Sequence, residues 1–156
     1  MNAIANANKV SLESPNLKTL NRLKKLSIFL GAVMFPFGFL KFFPPISGWF
    51  HTQIVNAGLP LISIPFGMGT EMLVGLMFLL PWLSGAFSFQ RRRQINIVAS
   101  LILISQMLVA TYVHLQPNVP AGVLPLGIKM PLIPLTILVL AALNGFFFYK
   151  LPSKDS

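Results

Sequence analysis

The sequence predicts an all-α integral membrane protein, a bundle of four transmembrane helices with both termini in the cytoplasm (N-in/C-in). Hydrophobic residues make up 54% of the 156 residues and charged residues only 10%, whereas soluble domains carry about 25% charged residues. The few charges leave four long apolar stretches, each close to the roughly 20 residues that a helix needs to cross the hydrocarbon core. The predicted spans are residues 26–43, 59–83, 94–115 and 131–149.

The basic residues predict the orientation of these spans. Ten of the 12 Lys and Arg residues precede the first span, join the second span to the third, or follow the fourth. Only Lys41 and Lys129 fall toward the other side, and cytoplasmic loops carry the excess of positive charge in membrane proteins. The charge therefore marks the side next to anionic lipid headgroups and does not indicate nucleic acid. A four-span domain (26–150) lies between a basic cytoplasmic segment (1–25) and a cytoplasmic tail (151–156).

The N-terminal segment is expected to contain a short helix of its own. Residues 1–13 are polar and rich in Asn, so we expect them to be disordered, and Ser14-Pro15 is typical of a helix start. Leucines then repeat among basic residues over 17–25. This pattern predicts a basic helix that lies on the inner leaflet before the first span begins. Pro36 is expected to kink that span.

Neither of the two predicted outer loops is simply polar. The first carries apolar side chains at helical spacing, which predicts an amphipathic segment in the outer interface between spans one and two. These side chains are Ile46, Trp49, Phe50 and Ile54. The second loop, residues 116–130, is rich in Pro and has one charge, so we expect it to fold over the mouth of the bundle as a cap. Residues 153–156 are expected to be disordered.

A single carboxylate, Glu71, falls within the predicted spans. Gly67 and Gly75 lie on the same stripe of the helix, and glycines let a neighbouring helix backbone approach closely. We therefore expect Glu71 to face the interior of the bundle, with Thr70 nearby. Acidic side chains inside membranes are functional hypotheses by default. The alternative is a buried carboxylate that only locks helix packing.

Lys41 is the nearest charged candidate partner for Glu71. Helical rise places Lys41 about 22 Å and Glu71 about 18 Å above the inner boundary, so the two heights differ by a few ångströms. Lys41 is expected to bind Glu71 or an anionic ligand head, and the alternative is that its ammonium snorkels to the headgroups. Gln106 and His114 on the third span can present an amide and an imidazole inward. These residues form the candidate polar site.

The residue types present argue against most cofactors. The chain has no cysteine, which excludes disulfides, thiol redox chemistry and Cys-ligated metals. His51 and His114 both fall toward the outer side, but no second carboxylate or ligand spacing accompanies them, so we expect no metal site. No catalytic triad, phosphate loop or paired carboxylate occurs. The residues therefore identify no cofactor-binding motif and leave enzymatic activity open.

Several short motifs resemble one family. In chain order they are Gly31 and Gly38 leading into Lys41, Pro44 followed by Trp49 and Phe50, Glu71 with Gly75, His114-Leu115-Gln116-Pro117, and Gly127-Ile128-Lys129-Met130-Pro131. Over roughly residues 26–150 the chain is similar to the DoxX and DoxX-like family of small bacterial four-helix membrane proteins. This resemblance implies a multi-pass protein of the bacterial cytoplasmic (inner) membrane that is linked to oxidoreductase systems.

Two functions are compatible with these observations. The first, implied by the resemblance, is an accessory or quinone-proximal subunit without its own redox centre. Such a subunit would contact quinone and dock a soluble oxidoreductase or another membrane subunit. The second is a binder or transporter of a small lipophilic or anionic molecule, which would use the region of Lys41 and Glu71 under the outer loops. Beyond membrane lipids, the sequence names no partner and fixes no oligomeric state.

Overall fold

The computed structural model describes residues 17–152 and contains within that range five α-helices and no strand. The expectations for residues 1–13, for Ser14-Pro15 and for 153–156 lie outside the described residues. The helices are α1 (Leu17–Leu40), α2 (Ile46–Asn56), α3 (Ser63–Leu83), α4 (Phe89–Leu115) and α5 (Leu132–Lys150). Two short 3-10 turns, Ala121–Val123 and Pro125–Gly127, lie between α4 and α5.

Four of these helices, α1, α3, α4 and α5, are long and apolar enough to cross a membrane. The all-helical architecture with four apolar helices is therefore as predicted. The helices run alternately up and down, and they form a ring in which α1 packs most extensively on α3 and α4 on α5. Contacts of α3 with α4 and of α1 with α5 close the ring.

The separate basic surface helix is a prediction that the structure corrects. Residues 17–25 are the first part of α1, which continues without a break to Leu40 and through Pro36. No Gly or Pro occurs between Leu17 and Leu30 to end the helix, and Leu23 is buried in a cluster with Phe148 and Leu151. Packing against the end of α5 therefore holds the basic segment in line with the span.

Other helix ends also shift from the predicted spans. Helix α4 begins at Phe89 instead of residue 94, because Ser88 accepts a hydrogen bond from the backbone N–H of Arg91 at 3.4 Å and caps the helix there. The arginines of the predicted inner loop thus lie in the first turns of α4. Helix α1 ends at Leu40, a few residues before Pro44, since a residue that precedes Pro avoids the helical conformation. Lys41 lies in the following turn.

One end of the bundle carries most of the basic side chains of the described residues. This basic end is formed by the start of α1, the α3–α4 connection and the end of α5. Arg93 donates hydrogen bonds to the carbonyl oxygens of Phe148 (2.9 Å) and Tyr149 (2.8 Å), which satisfies carbonyls that the end of α5 leaves unpaired. The opposite end, which contains α2 and the residues between α4 and α5, is called the cavity end.

Glycines bring α1 and α3 into backbone contact. A Cβ atom added to Gly75 would lie 2.6 Å from the backbone nitrogen of Phe35, and one added to Gly31 would lie 2.8 Å from the carbonyl oxygen of Gly75. The close approach predicted beside Glu71 therefore occurs, with α1 as the neighbouring helix. At Gly67 the neighbour differs from the expectation, because the ring of Phe50 from α2 occupies that side at 3.1 Å.

A buried polar chain links three helices near the middle of the bundle. Asn144 on α5 donates to the hydroxyl oxygen of Ser100 on α4 at 3.2 Å. Its side-chain oxygen accepts from the hydroxyl of Ser27 on α1 at 3.2 Å. All three side chains are fully buried, so these bonds satisfy polar groups that water does not reach.

Candidate functional site

The cavity end contains a cavity of about 740 Å³. Its lining comes from all five helices and from the segment between α4 and α5, and most of the lining side chains are aliphatic or aromatic. Each residue of the candidate polar site contributes to this lining, namely Lys41, Glu71, Thr70, Gln106 and His114. The structure therefore brings the predicted residues together around one space.

The cavity extends far into the bundle along the helix axes. On α4 its lining runs from Ile102 to His114, which corresponds to about 18 Å by helical rise. Glu71 lies about 12 Å along α3 from Ser63, and Gln106 lies about 13 Å along α4 from Leu115. The carboxylate and the amide are thus at similar depth, whereas His114 lies near the rim.

Lys41 and Glu71 form the predicted ion pair. The distance between Lys41 Nζ and Glu71 Oε1 is 2.5 Å, and each side chain is 14% exposed. The ammonium also lies 4.0 Å from the centre of the Phe50 ring on α2, a cation–π distance. Lys41 therefore joins α1, α3 and α2, and it does not behave as a snorkelling residue in this structure.

Close helix packing explains how a short turn can place Lys41 against Glu71. A Cβ atom at Gly38 would lie 2.8 Å from the backbone nitrogen of Met72 and 3.0 Å from Cβ of Glu71. The backbones of α1 and α3 therefore touch at the height of the carboxylate. Lys41 follows Gly38 by less than one helical turn, so its long side chain needs to span only a short distance.

Several polar atoms of the site have no partner within the described residues. Glu71 Oε2, both amide atoms of Gln106 and Nδ1 of His114 are buried and make no hydrogen bond. A buried polar atom without a partner costs about 1–3 kcal/mol, and such atoms are rare in native structures. Three of the predicted residues thus have unused hydrogen-bonding capacity on side chains that line the cavity.

Thr70 differs from these residues, although it also lines the cavity. Its hydroxyl donates to the carbonyl oxygen of Phe66 at 2.7 Å, one turn earlier in α3. This bond within the helix satisfies its donor. Thr70 therefore contributes shape and an accepting lone pair more than an unpaired group.

The predicted cap covers the cavity. Val119 and Leu124 are buried in a cluster with Ala57 and Val113, and the amide nitrogen of Gln53 on α2 donates to the carbonyl oxygen of Val123. Lys129 holds the same segment by donating to the carbonyl oxygens of Gln116 and Val119. The charge pattern alone indicates for Lys129 only a role in orientation. The one feature of the sequence that could have indicated this structural role is that Lys129 is the single charged residue of the loop.

The two histidines differ in burial and in their position relative to the cavity. Within residues 17–152 no group of three or more His, Cys, Asp or Glu side chains lies close together. His51 is exposed on α2 and does not line the cavity. His114 is 4% exposed, and the backbone of residues 128–130 and Lys129 neighbour its ring.

The fold and the cavity together define a class, a multi-pass helical membrane protein with an apolar cavity at one end and a few polar groups inside it. No family model, no curated protein and no solved structure matches this chain. The resemblance to the DoxX-like family stays a prediction from the motifs quoted above.

Proposed function

We propose that this protein binds a small lipophilic molecule in the cavity, with the polar head of the molecule near Glu71 and Gln106. The observation that carries the proposal is a cavity of about 740 Å³ lined mainly by apolar side chains, with unpaired polar atoms on the few polar ones. Ligand sites in proteins typically have volumes of about 300–1,000 Å³ and combine an apolar lining with a few polar groups that fix orientation.

The exposed part of the lining supports entry from the bilayer. Phe66 on α3 is 70% exposed and Val109 on α4 is 50% exposed, and both line the cavity. These helices are neighbours in the ring, so an opening of the cavity on the flank between them is part of the proposal. A lipophilic ligand dissolved in the bilayer can enter there without crossing water.

The location of the protein is part of the same proposal. The basic end would face the cytoplasm, because positive charge is retained on that side, and the cavity would then open toward the outer leaflet. If the DoxX resemblance holds, the membrane is the bacterial inner membrane, and a quinone is one lipophilic molecule that the cavity could hold.

Cavity filling tests the binding proposal. Ala110→Phe places a ring in the cavity lining, whereas Ala142→Phe makes the same change at an exposed position of α5 outside the lining. Both variants and the parent are purified in lipid nanodiscs, and lipophilic molecules retained with them are quantified by mass spectrometry. We expect the parent and Ala142→Phe to retain a ligand in near-stoichiometric amount and Ala110→Phe to lose it. Equal retention by the two variants would overturn the proposal, provided that both unfold at similar temperatures.

A second function is favoured by the exposed basic end. Lys24, Lys25, Arg91 and Lys150 are all exposed there, and a basic surface can attract an acidic soluble partner. This arrangement is compatible with an accessory subunit that docks an oxidoreductase. Salt-sensitive co-purification of a redox enzyme, lost when Arg91 and Lys150 are changed to Gln, would support this function, and co-purification unaffected by these changes would count against it.

A further inference from the structure

The unpaired oxygen of Glu71 defines what kind of head the cavity prefers. Lys41 holds Oε1 of the carboxylate at 2.5 Å, whereas Oε2 is buried and has no partner. A carboxylate oxygen in an ion pair can only accept a hydrogen bond. Its natural partner is therefore a ligand group that donates one, such as a hydroxyl.

The other unpaired groups do not select between donors and acceptors. The amide of Gln106 carries both a donor and an acceptor, and the neutral imidazole of His114 can present either at Nδ1 according to its tautomer. Each of them can satisfy an alcohol, an ether or a ketone. Discrimination among uncharged heads thus falls on Glu71.

The charges around the cavity disfavour an ionised head. Among the described residues that line it, Lys41 and Glu71 are the charged ones, and they neutralise each other. Lys129, the other basic side chain at the cavity end, donates to the carbonyls of Gln116 and Val119. A fatty-acid carboxylate would therefore enter an apolar space without a free cation, and burial of an unpaired charge is strongly unfavourable.

We propose, on the basis of the function proposed above, that the ligand is an uncharged lipophile whose hydroxyl group donates a hydrogen bond to Glu71 Oε2. The oxygen is shut off from water in the structure, so the hydroxyl displaces no water from it. The same burial keeps a ligand away from Oε2 in the present conformation. Binding therefore requires a small turn of the carboxylate about its last torsion, which moves both oxygens while the flexible side chain of Lys41 follows Oε1. The site thus selects hydroxylated lipophiles over ethers and carboxylates of the same length.

Matched probes that share a ten-carbon chain test this selection. They are ω-bromo derivatives of decanol, decyl methyl ether and decanoate, and bromine quenches tryptophan fluorescence at short range. The chain has two tryptophans. Trp49 lines the cavity, whereas Trp82 lies near the basic end against Phe148. In the variant Trp82→Phe the remaining tryptophan is Trp49, so its quenching reports on the cavity. In Trp49→Phe the remaining tryptophan is Trp82, so its quenching reports on unspecific partition into the nanodisc.

We expect saturable quenching of Trp49 by the alcohol, with an affinity about tenfold or more above that of the ether, since the ether leaves Oε2 unpaired. Quenching of Trp82 should rise linearly and equally for the alcohol and the ether. Saturation by the alcohol and the ether with equal affinity would overturn the inference and leave the proposed function standing. The absence of saturable quenching by any probe would instead overturn the proposed function.

Glu71→Gln in the Trp82→Phe background supplies a test of the mechanism. Lys41 has only donors, so the amide oxygen of Gln must face Lys41 and its NH₂ group must replace Oε2. This change converts an acceptor into a donor at the same place. We expect the preference to reverse, with the ether now bound at least as tightly as the alcohol. An unchanged preference for the alcohol in this variant would show that Glu71 does not accept a hydrogen bond from the ligand hydroxyl. Circular dichroism and the unfolding temperature identify a variant that has not folded. Glu71→Asp keeps an acceptor-only carboxylate and should retain the preference for the alcohol.

Discussion

Gly75→Ala is the sharpest test of how α1 and α3 pack. The added Cβ would lie 2.6 Å from the backbone nitrogen and 2.7 Å from Cα of Phe35. Carbon contacts are most favourable at about 3.5–4.0 Å, so the two helices must separate by about 1 Å at this point. Since the contacts are with backbone, no side chain can rotate to relieve them. Overpacking of this kind costs about 1–3 kcal/mol.

Gly69→Ala is a matched control on the same helix. A Cβ atom at Gly69 meets nothing within 4 Å, so this variant changes helix propensity alone. Replacing a helical Gly with Ala favours the helix by about 0.5–1 kcal/mol in both variants. The propensity gain therefore cancels when the two are compared. Gly75→Ala should be less stable than Gly69→Ala by about 1–3 kcal/mol, which is the overpacking cost alone.

The assay is reversible unfolding in mixed micelles with increasing denaturing detergent, followed by circular dichroism. Both variants are compared with the parent under the same conditions. If Gly75→Ala unfolds at the same detergent fraction as Gly69→Ala, the backbones of α1 and α3 are not in contact at Gly75, and the explanation given for the position of Lys41 fails with it.

Two further predictions concern polar groups. Lys41→Met and Glu71→Gln should each lower the free energy of unfolding by about 1–3 kcal/mol, and the double variant should lose less than the sum, because each single change strands a buried partner. Additive losses in this double-mutant cycle, measured by thermal unfolding in detergent, would mean that the two side chains do not interact. Asn144→Leu should lower stability by about 1 kcal/mol, since it removes hydrogen bonds to Ser27 and Ser100. Ala142→Leu on the exposed face of α5 should leave the same unfolding midpoint unchanged, and equal midpoints for these two variants would contradict the structural role of Asn144.

The pairing of Lys41 with Glu71 could be predicted because charges are scarce in the apolar segments. With one acid in the spans, the choice of partners is small, and helical rise alone gives comparable heights. The same reasoning placed Gln106 and His114 on the inner flank of α4. What it could not give is the cavity itself, because its volume depends on how side chains from five helices fail to fill the space between them.

Contacts to backbone carbonyl oxygens also could not be predicted from the sequence. Lys129 and Gln53 both bind carbonyl groups of the segment between α4 and α5. Every residue has a backbone carbonyl, so the sequence does not indicate which residue accepts the hydrogen bond. The continuity of α1 was missed for a related reason. Basic residues indicated a surface helix, but the burial of Leu23 against Phe148 and Leu151 depends on where α5 ends.

The glycine contacts also separate the positions that can change in evolution from those that cannot. Gly31, Gly38 and Gly75 face backbone or Cβ atoms, so almost any larger residue there would push α1 away from α3. The cavity lining is less restricted, because lining side chains such as Phe66 and Val109 are exposed. Relatives of this chain can therefore diverge freely in what they bind while they keep small residues at the helix contact. A substitution in the lining would change which ligand binds without changing how α1 and α3 pack.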